Sequence, residues 1–244
     1  MDYYQGIYQK DEFKPYRLSR SKIEDFVRCP RCFYLDRRFA VRKPSIPTFT
    51  LNNAVDELLK KEFDIHRLNG EAHPLMKAYG LDAVPLKHNK MDEWRDALYR
   101  GAAFLHKPTN FYITGGIDDL WINKNNELII VDYKATSTDK EISLEDKWKD
   151  SYKRQAEVYQ WLFKQNGFRV FDTAYFVYCN GLKDKKAFDA KLEFKVQIIP
   201  YQGDSSWVEP KLMEIKKVLD ADEIPQAASD CELCNYVKNA RKYN

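Results

Sequence analysis

Residues 115–134 read Gly115-Gly116-Ile117-Asp118-Asp119-Leu120-Trp121-Ile122-Asn123-Lys124-Asn125-Asn126-Glu127-Leu128-Ile129-Ile130-Val131-Asp132-Tyr133-Lys134. Two largely apolar runs flank a polar tip, which predicts strands over Ile117–Asn123 and Leu128–Lys134. Side chains alternate faces along a strand, so Asp132 and Lys134 project together while Tyr133 points the other way. Ile129, Ile130 and Val131 mark the second strand as buried and central. A carboxylate and an ammonium at its end cost desolvation unless they have a partner or a task. Loop length decides what Asp132 faces. A three-residue loop, Lys124 to Asn126, pairs 123 with 127 and sets 118 directly opposite 132. A two-residue Asn125-Asn126 turn would set 118 against 133 and send the two carboxylates to opposite faces, so a paired-carboxylate site requires the longer loop.

Two facing carboxylates raise each other's proton affinity unless a cation sits between them. A hard divalent ion such as Mg²⁺ takes oxygen ligands, keeps several waters, and can activate one of them while screening a phosphodiester. Lys134 could then orient the water or stabilise the pentacovalent phosphate. Taken alone, Asp-x-Lys reads more readily as an ordinary buried ion pair, with Asp118 in a turn, because the tripeptide is short and common. A long helix is expected over Leu144–Gln165, where Trp148, Tyr152, Gln155, Tyr159 and Leu162 share one stripe. Gln155 is then an amide on an apolar, aromatic face and needs a backbone or ligand partner.

Outside this region, Phe111–Thr114, Val170–Cys179 and Leu192–Ile199 read as strands. Helices are expected over Asn52–Arg67, with Val55, Leu58, Leu59 and Phe63 on one face, over Asp92–Leu105, and over Trp207–Leu219. Ser21-Lys22-Ile23-Glu24 has the form of a capping box opening a helix towards Arg28, and Lys43-Pro44-Ser45-Ile46-Pro47 breaks regular structure. The order implies an α/β fold, a mixed sheet with helices packed on it. With 44% hydrophobic and 14% aromatic residues, the chain has ample material for a core, which excludes wholesale disorder. There is no basic leader and no apolar run of membrane-spanning length, so a soluble, cytoplasmic protein without a membrane partner is expected. Net charge is only +3, but Lys14 to Lys43 holds ten Lys/Arg against three acids. That block suits a phosphate backbone or, equally, a solvated helix face.

Cysteines in a reducing compartment more often bind metal or do redox chemistry than form disulfides. Cys29, Cys32, Cys231 and Cys234 make two Cys-x-x-Cys pairs, which suit tetrahedral Zn²⁺ or an iron–sulfur cluster. A redox pair at Cys29-Pro30-Arg31-Cys32 is the weaker reading, because it follows a helix instead of opening one after a strand. Four unrelated thiols are the remaining alternative. Cys179, at the end of a strand, is expected in the core.

Gly115-Gly116-Ile117-Asp118, Val131-Asp132-Tyr133-Lys134 and Gln155-Ala156-Glu157-Val158-Tyr159 match GxxD, DYK and QxxxY motifs in order. Leu18-Ser19-Arg20-Ser21 through Cys29-Pro30 looks like the start of the same proteins. The sequence thus resembles the RecB-like branch of the PD-(D/E)XK nucleases, and is similar to CRISPR-associated exonucleases and AddB-type nuclease domains. The resemblance covers most of the chain. It implies a restriction-endonuclease-like fold, a single nuclease domain over 1–244 with its core at 51–200, and terminal segments 14–43 and 220–244 joined by the cysteine site. It also implies a deoxyribonuclease dependent on Mg²⁺ or Mn²⁺, an exonuclease on single-stranded DNA ends in repair, recombination or CRISPR-type processing. Any helicase or nucleoprotein partner is left open.

By the same resemblance Asp118 and Asp132 are metal ligands together with the carbonyl of Tyr133, Lys134 is the catalytic lysine, and Gln155 and Tyr159 are accessory residues. The family often has a metal-binding His on the first core helix. Here that segment reads Ala54-Val55-Asp56-Glu57-Leu58, with Asp56 in its place. On a helical wheel Asp56 borders the apolar face while Glu57 points nearly opposite, and a plain surface role for Asp56 is the alternative. Relatives with a [4Fe–4S] cluster have one N-terminal Cys and three near the C-terminus. The last of those falls on Ala240 here, so Cys32 becomes the fourth ligand and the cluster is preferred to Zn²⁺. The rival class is a non-catalytic DNA-binding or assembly subunit that keeps the nuclease fold. The missing His favours it, and intact Asp118, Asp132 and Lys134 oppose it.

Overall fold

A computed structural model of the chain describes residues 2–45 and 49–243. In chain order, β1 (Tyr16–Ser19) leads into α1 (Arg20–Arg28), α2 (Pro30–Phe39), α3 (Thr50–Asn69) and α4 (Pro74–Ala78). Next come β2 (Ala83–Pro85), α5 (Met91–Arg95), β3 (Ala102–His106), β4 (Phe111–Gly115), β5 (Asp119–Asn123) and β6 (Leu128–Thr136). The chain finishes with α6 (Asp150–Gln165), β7 (Thr173–Gly181), β8 (Phe194–Gln202), α7 (Val208–Asp220) and α8 (Glu232–Ala240). These elements make a mixed α/β fold of two compact units. Of the expected chain break, Ile46 and Pro47 lie outside the described residues, and Lys43 to Ser45 have no regular structure. Among the described residues no helix is long and apolar enough to cross a membrane.

One unit comprises Met1–Ile46, Ala103–Gly115 and Ser206–Asn244. Its sheet has the order β1-β4-β3, with β1 parallel to β4 through pairs such as Leu18↔Ile113. Ile23, Phe26, Phe33 and Tyr34 from α1 and α2 are buried, as are Leu212, Ile215 and Leu219 from α7, which packs on both helices. Much of the basic block is satisfied internally. Lys22 holds Asp25 and Asp36, Lys43 holds Asp25, Arg37 holds Asp36, and Arg38 donates to the Leu219 carbonyl. Those cations carry less weight as phosphate contacts than the sequence alone suggests.

The other unit comprises Pro47–Ala102 and Gly116–Ser205. Its five-stranded mixed sheet runs β2-β5-β6-β7-β8, with β6 and β7 parallel and the other pairs antiparallel. On one face Leu59 and Phe63 of α3 pack with Trp121, Ile129, Val131, Tyr133, Val177 and Cys179. The expected core position of Cys179 is therefore met. α6 packs against β6, and Val158, Tyr159, Leu162 and Phe163 are buried along it.

Local expectations shift in four places. Ser19, still extended at the end of β1, is the N-cap of α1, so Ser21 lies inside the helix and the Ser21–Glu24 capping box does not form. The strand feeds directly into the helix, and that continuity sets the boundary. The helix expected over Asp92–Leu105 stops at Arg95, because 102–106 pairs as β3 beside β4 and tertiary pairing overrides the local pattern. Leu58 is exposed despite its place in the apolar series of α3. α6 begins at Asp150, six residues after Leu144, behind a 3₁₀ turn at Lys147–Lys149. Lys149 folds back there to donate to the Ser143 carbonyl at 2.6 Å and to pair with Asp146 at 2.8 Å.

Candidate active site

The loop between β5 and β6 has three residues. Asn123 N–H donates to the Glu127 carbonyl at 3.2 Å, and the Asn123 side chain accepts from the backbone of Asn125 and Glu127. Asn126 closes the loop at φ +58°, a left-handed conformation that Asn tolerates. The ladder runs from Ile122↔Leu128 to Asp119↔Val131, and one step further sets Asp118 across from Asp132. There the backbone ladder ends and a side chain takes over, because Asp118 Oδ2 accepts from Tyr133 N–H at 3.0 Å.

Asp132 is 2% exposed and forms an ion pair with Lys134. Burial alone would pull the Lys134 ammonium down, but Asp132 and Asp118 hold it above its ordinary value, so it stays charged. Its Nζ also lies 4.6 Å from the ring centre of Tyr152. From α3, Lys60 reaches Asp56 at 2.6 Å and Asp118 at 3.6 Å. Burial, and then the nearby Asp118 charge, raise the proton affinity of Asp56, with Lys60 opposing both. Asp56 is therefore brought to the same charge cluster as Asp118, whereas Glu57 is exposed. Lys60 escaped the sequence reading, although its i+4 spacing from Asp56 was a usable signal.

The QxxxY residues separate in role. Tyr159 is buried, and its hydroxyl donates to the Gly116 carbonyl at 2.5 Å, two residues before Asp118. Gly116 itself must be glycine, because a Cβ there would overlap Ala97. Gln155 is half-buried, not enclosed, and its side chain has no hydrogen bond among the described residues. The fully buried amide of α6 is Gln160, which donates to the carbonyls of Phe171 and Asp172. Trp148, expected on the same apolar stripe, is 60% exposed, because it precedes α6 instead of lying within it.

Behind the site lies a buried charge network that the sequence did not reveal. Asp119 is fully buried. It accepts from Arg95 at 3.0 Å, from Arg67, and from the Tyr133 hydroxyl at 2.7 Å. Arg95 also donates to the Asp118 carbonyl at 3.0 Å, which ties the two neighbouring aspartates to one guanidinium. On β7, Tyr178 stands in register with Lys134. Burial, then Tyr152 and Asp132, push its phenol well above the ordinary range.

In the other unit, Cys29, Cys32, Cys231 and Cys234 come together from the two ends of the chain. Their sulfurs all lie within 4.8 Å of one another, with Cys32–Cys234 at 3.4 Å, Cys32–Cys231 at 3.6 Å and Cys29–Cys234 at 3.9 Å. Burial raises a thiol's proton affinity, yet main-chain groups of Cys32 and Ala228, with the neighbouring thiols, bring Cys29 down to about 7. Burial and the neighbouring thiols push Cys32 up instead, so it is the closeness of four sulfurs, not one shifted thiol, that suits a thiolate-binding metal.

Lys60 bridges Asp56 and Asp118 while Lys134 pairs with Asp132, so three carboxylates and two ammoniums share this region, and among the described residues the carboxylate oxygens do not gather within 4.8 Å of one another as the four thiols do. A family model described as the PD-(D/E)XK nuclease superfamily matches residues 50–238. Among solved structures, the crystal structure of SSO0001 is similar over 86% of this chain and 79% of that one, at 16% identity and a TM-score of 0.41. No curated protein matches the sequence.

Proposed function

The chain belongs to the PD-(D/E)XK nuclease superfamily, and on that premise we propose that it hydrolyses DNA phosphodiesters at Asp118, Asp132 and Lys134. The observation that carries this reading is the three-residue loop, whose register sets Asp118 opposite Asp132 with Lys134 paired beside them. Asp118, Asp132, the Tyr133 carbonyl and Asp56 would hold Mg²⁺ or Mn²⁺. When bound, such an ion supplies Lewis acidity and a water of lowered pKa. Lys134, kept charged by Asp132 and Asp118, provides a fixed cation for the charge that develops on the phosphate. Lys60 offsets part of the repulsion between Asp56 and Asp118. Tyr159 and Arg95 hold the backbone on either side of Asp118 through the Gly116 and Asp118 carbonyls.

The finer assignment is a RecB-like exonuclease acting on single-stranded DNA ends in the cytoplasm. Its nuclease core is 51–200, with 14–43 and 220–244 as cysteine-linked ends. Chelator-treated protein should cut a labelled oligonucleotide only after Mg²⁺ or Mn²⁺ is restored. Asp56→Ala should need more Mn²⁺ than wild type, and Glu57→Ala the same amount. A chain that binds DNA but cuts it with neither ion would instead be a DNA-binding subunit on a nuclease fold.

For the cysteine site, the spacing favours a single tetrahedral ion. Four thiolates on one Zn²⁺, each at about 2.3 Å, stand about 3.8 Å apart, close to the 3.4–3.9 Å of three pairs here, with all four sulfurs within 4.8 Å of one another. A [4Fe–4S] cluster puts each ligand on a different iron and spreads the sulfurs further. Zinc is therefore the proposed occupant, against the cluster that the family resemblance implies. Anaerobically purified protein should be colourless with about one zinc per chain, and Cys32→Ser should lose the metal and melt at lower temperature. Brown protein absorbing near the visible–ultraviolet boundary would reinstate the cluster.

A further inference from the structure

The side of the site lined by α6 and β7 carries aromatic groups that the cleavage chemistry leaves unused. Trp148 is 60% exposed. Its ring meets Tyr152 edge-on, with centroids 5.5 Å apart and planes at 81°. The Tyr152 ring in turn lies 4.6 Å from Lys134 Nζ. An aromatic step therefore leads from solvent to the lysine. Tyr178 pairs with Lys134 across the parallel strands, which places both side chains on the same face of the sheet. The Tyr178 hydroxyl is buried and has no hydrogen-bond partner among the described residues. A buried hydroxyl left unpaired is costly unless a ligand completes it. Lys149 Nζ lies 5.0 Å from the centre of the Trp148 ring, but most of the ring's surface is open and a packing role does not account for it.

We infer that Trp148, Tyr152 and Tyr178 form a subsite for one unpaired nucleotide next to the scissile phosphate, with Trp148 as the stacking face and Tyr178 as the polar contact. The inference rests on the nuclease reading for the position of the phosphate, at Lys134. A base within a duplex already has both faces stacked, whereas an unpaired base offers a face to an aromatic side chain. The subsite thus selects single-stranded substrate through its own side chains.

Binding can be measured apart from cleavage, by fluorescence polarisation of labelled oligothymidine and of a matched blunt duplex in the presence of a chelator. Trp148→Ala should weaken oligothymidine binding about tenfold and duplex binding by less than about twofold, with Trp148→Phe retaining most of the affinity. Tyr178→Phe should weaken oligothymidine binding about fivefold. Scanning a single abasic nucleotide along the oligomer should reveal one position at which wild type and Trp148→Ala bind alike. With Mg²⁺ present, Trp148→Ala should raise KM and leave kcat within about twofold. Equal oligothymidine binding by wild type and Trp148→Ala, or an equal loss on duplex, would overturn the subsite. Wild-type protein that shows the stacking loss but cuts nothing would support the subsite and remove the nuclease reading. Normal cleavage with no effect of Trp148→Ala would do the reverse.

Discussion

Asp118→Asn is expected to lower divalent-ion-dependent cleavage by at least about a thousandfold while leaving the melting temperature near wild type. The substitution is gentle on the fold. Asp118 is only partly buried, and an amide oxygen at the same place can still accept the Tyr133 N–H bond that closes the ladder. What it removes is a negative charge from the cluster with Asp56 and Asp132, and with it one proposed ligand of a hard cation. DNA binding should change far less, because affinity for a phosphate backbone comes from many distributed contacts. The pair of measurements is a single-turnover cleavage rate and a binding isotherm on one oligonucleotide. An Asp118→Asn protein that cuts at the wild-type rate would put the active site elsewhere.

The next residue should behave in the opposite way. Asp119→Ala is expected to cost about 3–5 kcal/mol of stability, the usual penalty when one partner of a buried ion pair is removed. Arg95 and Arg67 would both lose their fully buried counter-charge and keep only Asp64, which is 40% exposed, and the Tyr133 hydroxyl would lose its acceptor. For a chain of this size that corresponds to a fall in melting temperature on the order of 10 °C. Arg95 also supports the Asp118 carbonyl, so whatever folded protein is left should cut more slowly than wild type. Melting within about one degree of wild type would mean that the network is not needed for the fold.

This contrast between neighbours shows what was readable in the chain. Strand alternation placed Asp132 and Lys134 on one side and Tyr133 on the other, and loop chemistry at Asn125-Asn126 narrowed the register to two choices. Nothing local told Asp119 from Asp118 as the buried one. Its partners Arg67 and Arg95 lie 52 and 24 residues away, and Arg95 fell inside a segment that reads as a longer helix than the one that forms. Gln155 misled for a related reason. A stripe of five residues defines a face, but only packing decides how much of that face is covered, and the covered amide proved to be Gln160.

Determined by the sequence itself were strands β4 to β8 and helices α1, α3, α6 and α7 in outline, the two Cys-x-x-Cys motifs, and the candidate set Asp118, Asp132 and Lys134. The first two follow from periodicity and short spacings, which act over a few residues, whereas the candidate set rests on three motifs in order and the family they resemble. Left to the tertiary structure were the choice of the three-residue loop, the approach of Asp56 and Lys60 on α3 to Asp118, the burial of Asp119 between two arginines, and the meeting of four thiols from opposite ends of the chain. Those depend on contacts between residues far apart in sequence. Their energies come from desolvation and charge pairing that exist only once the elements are packed.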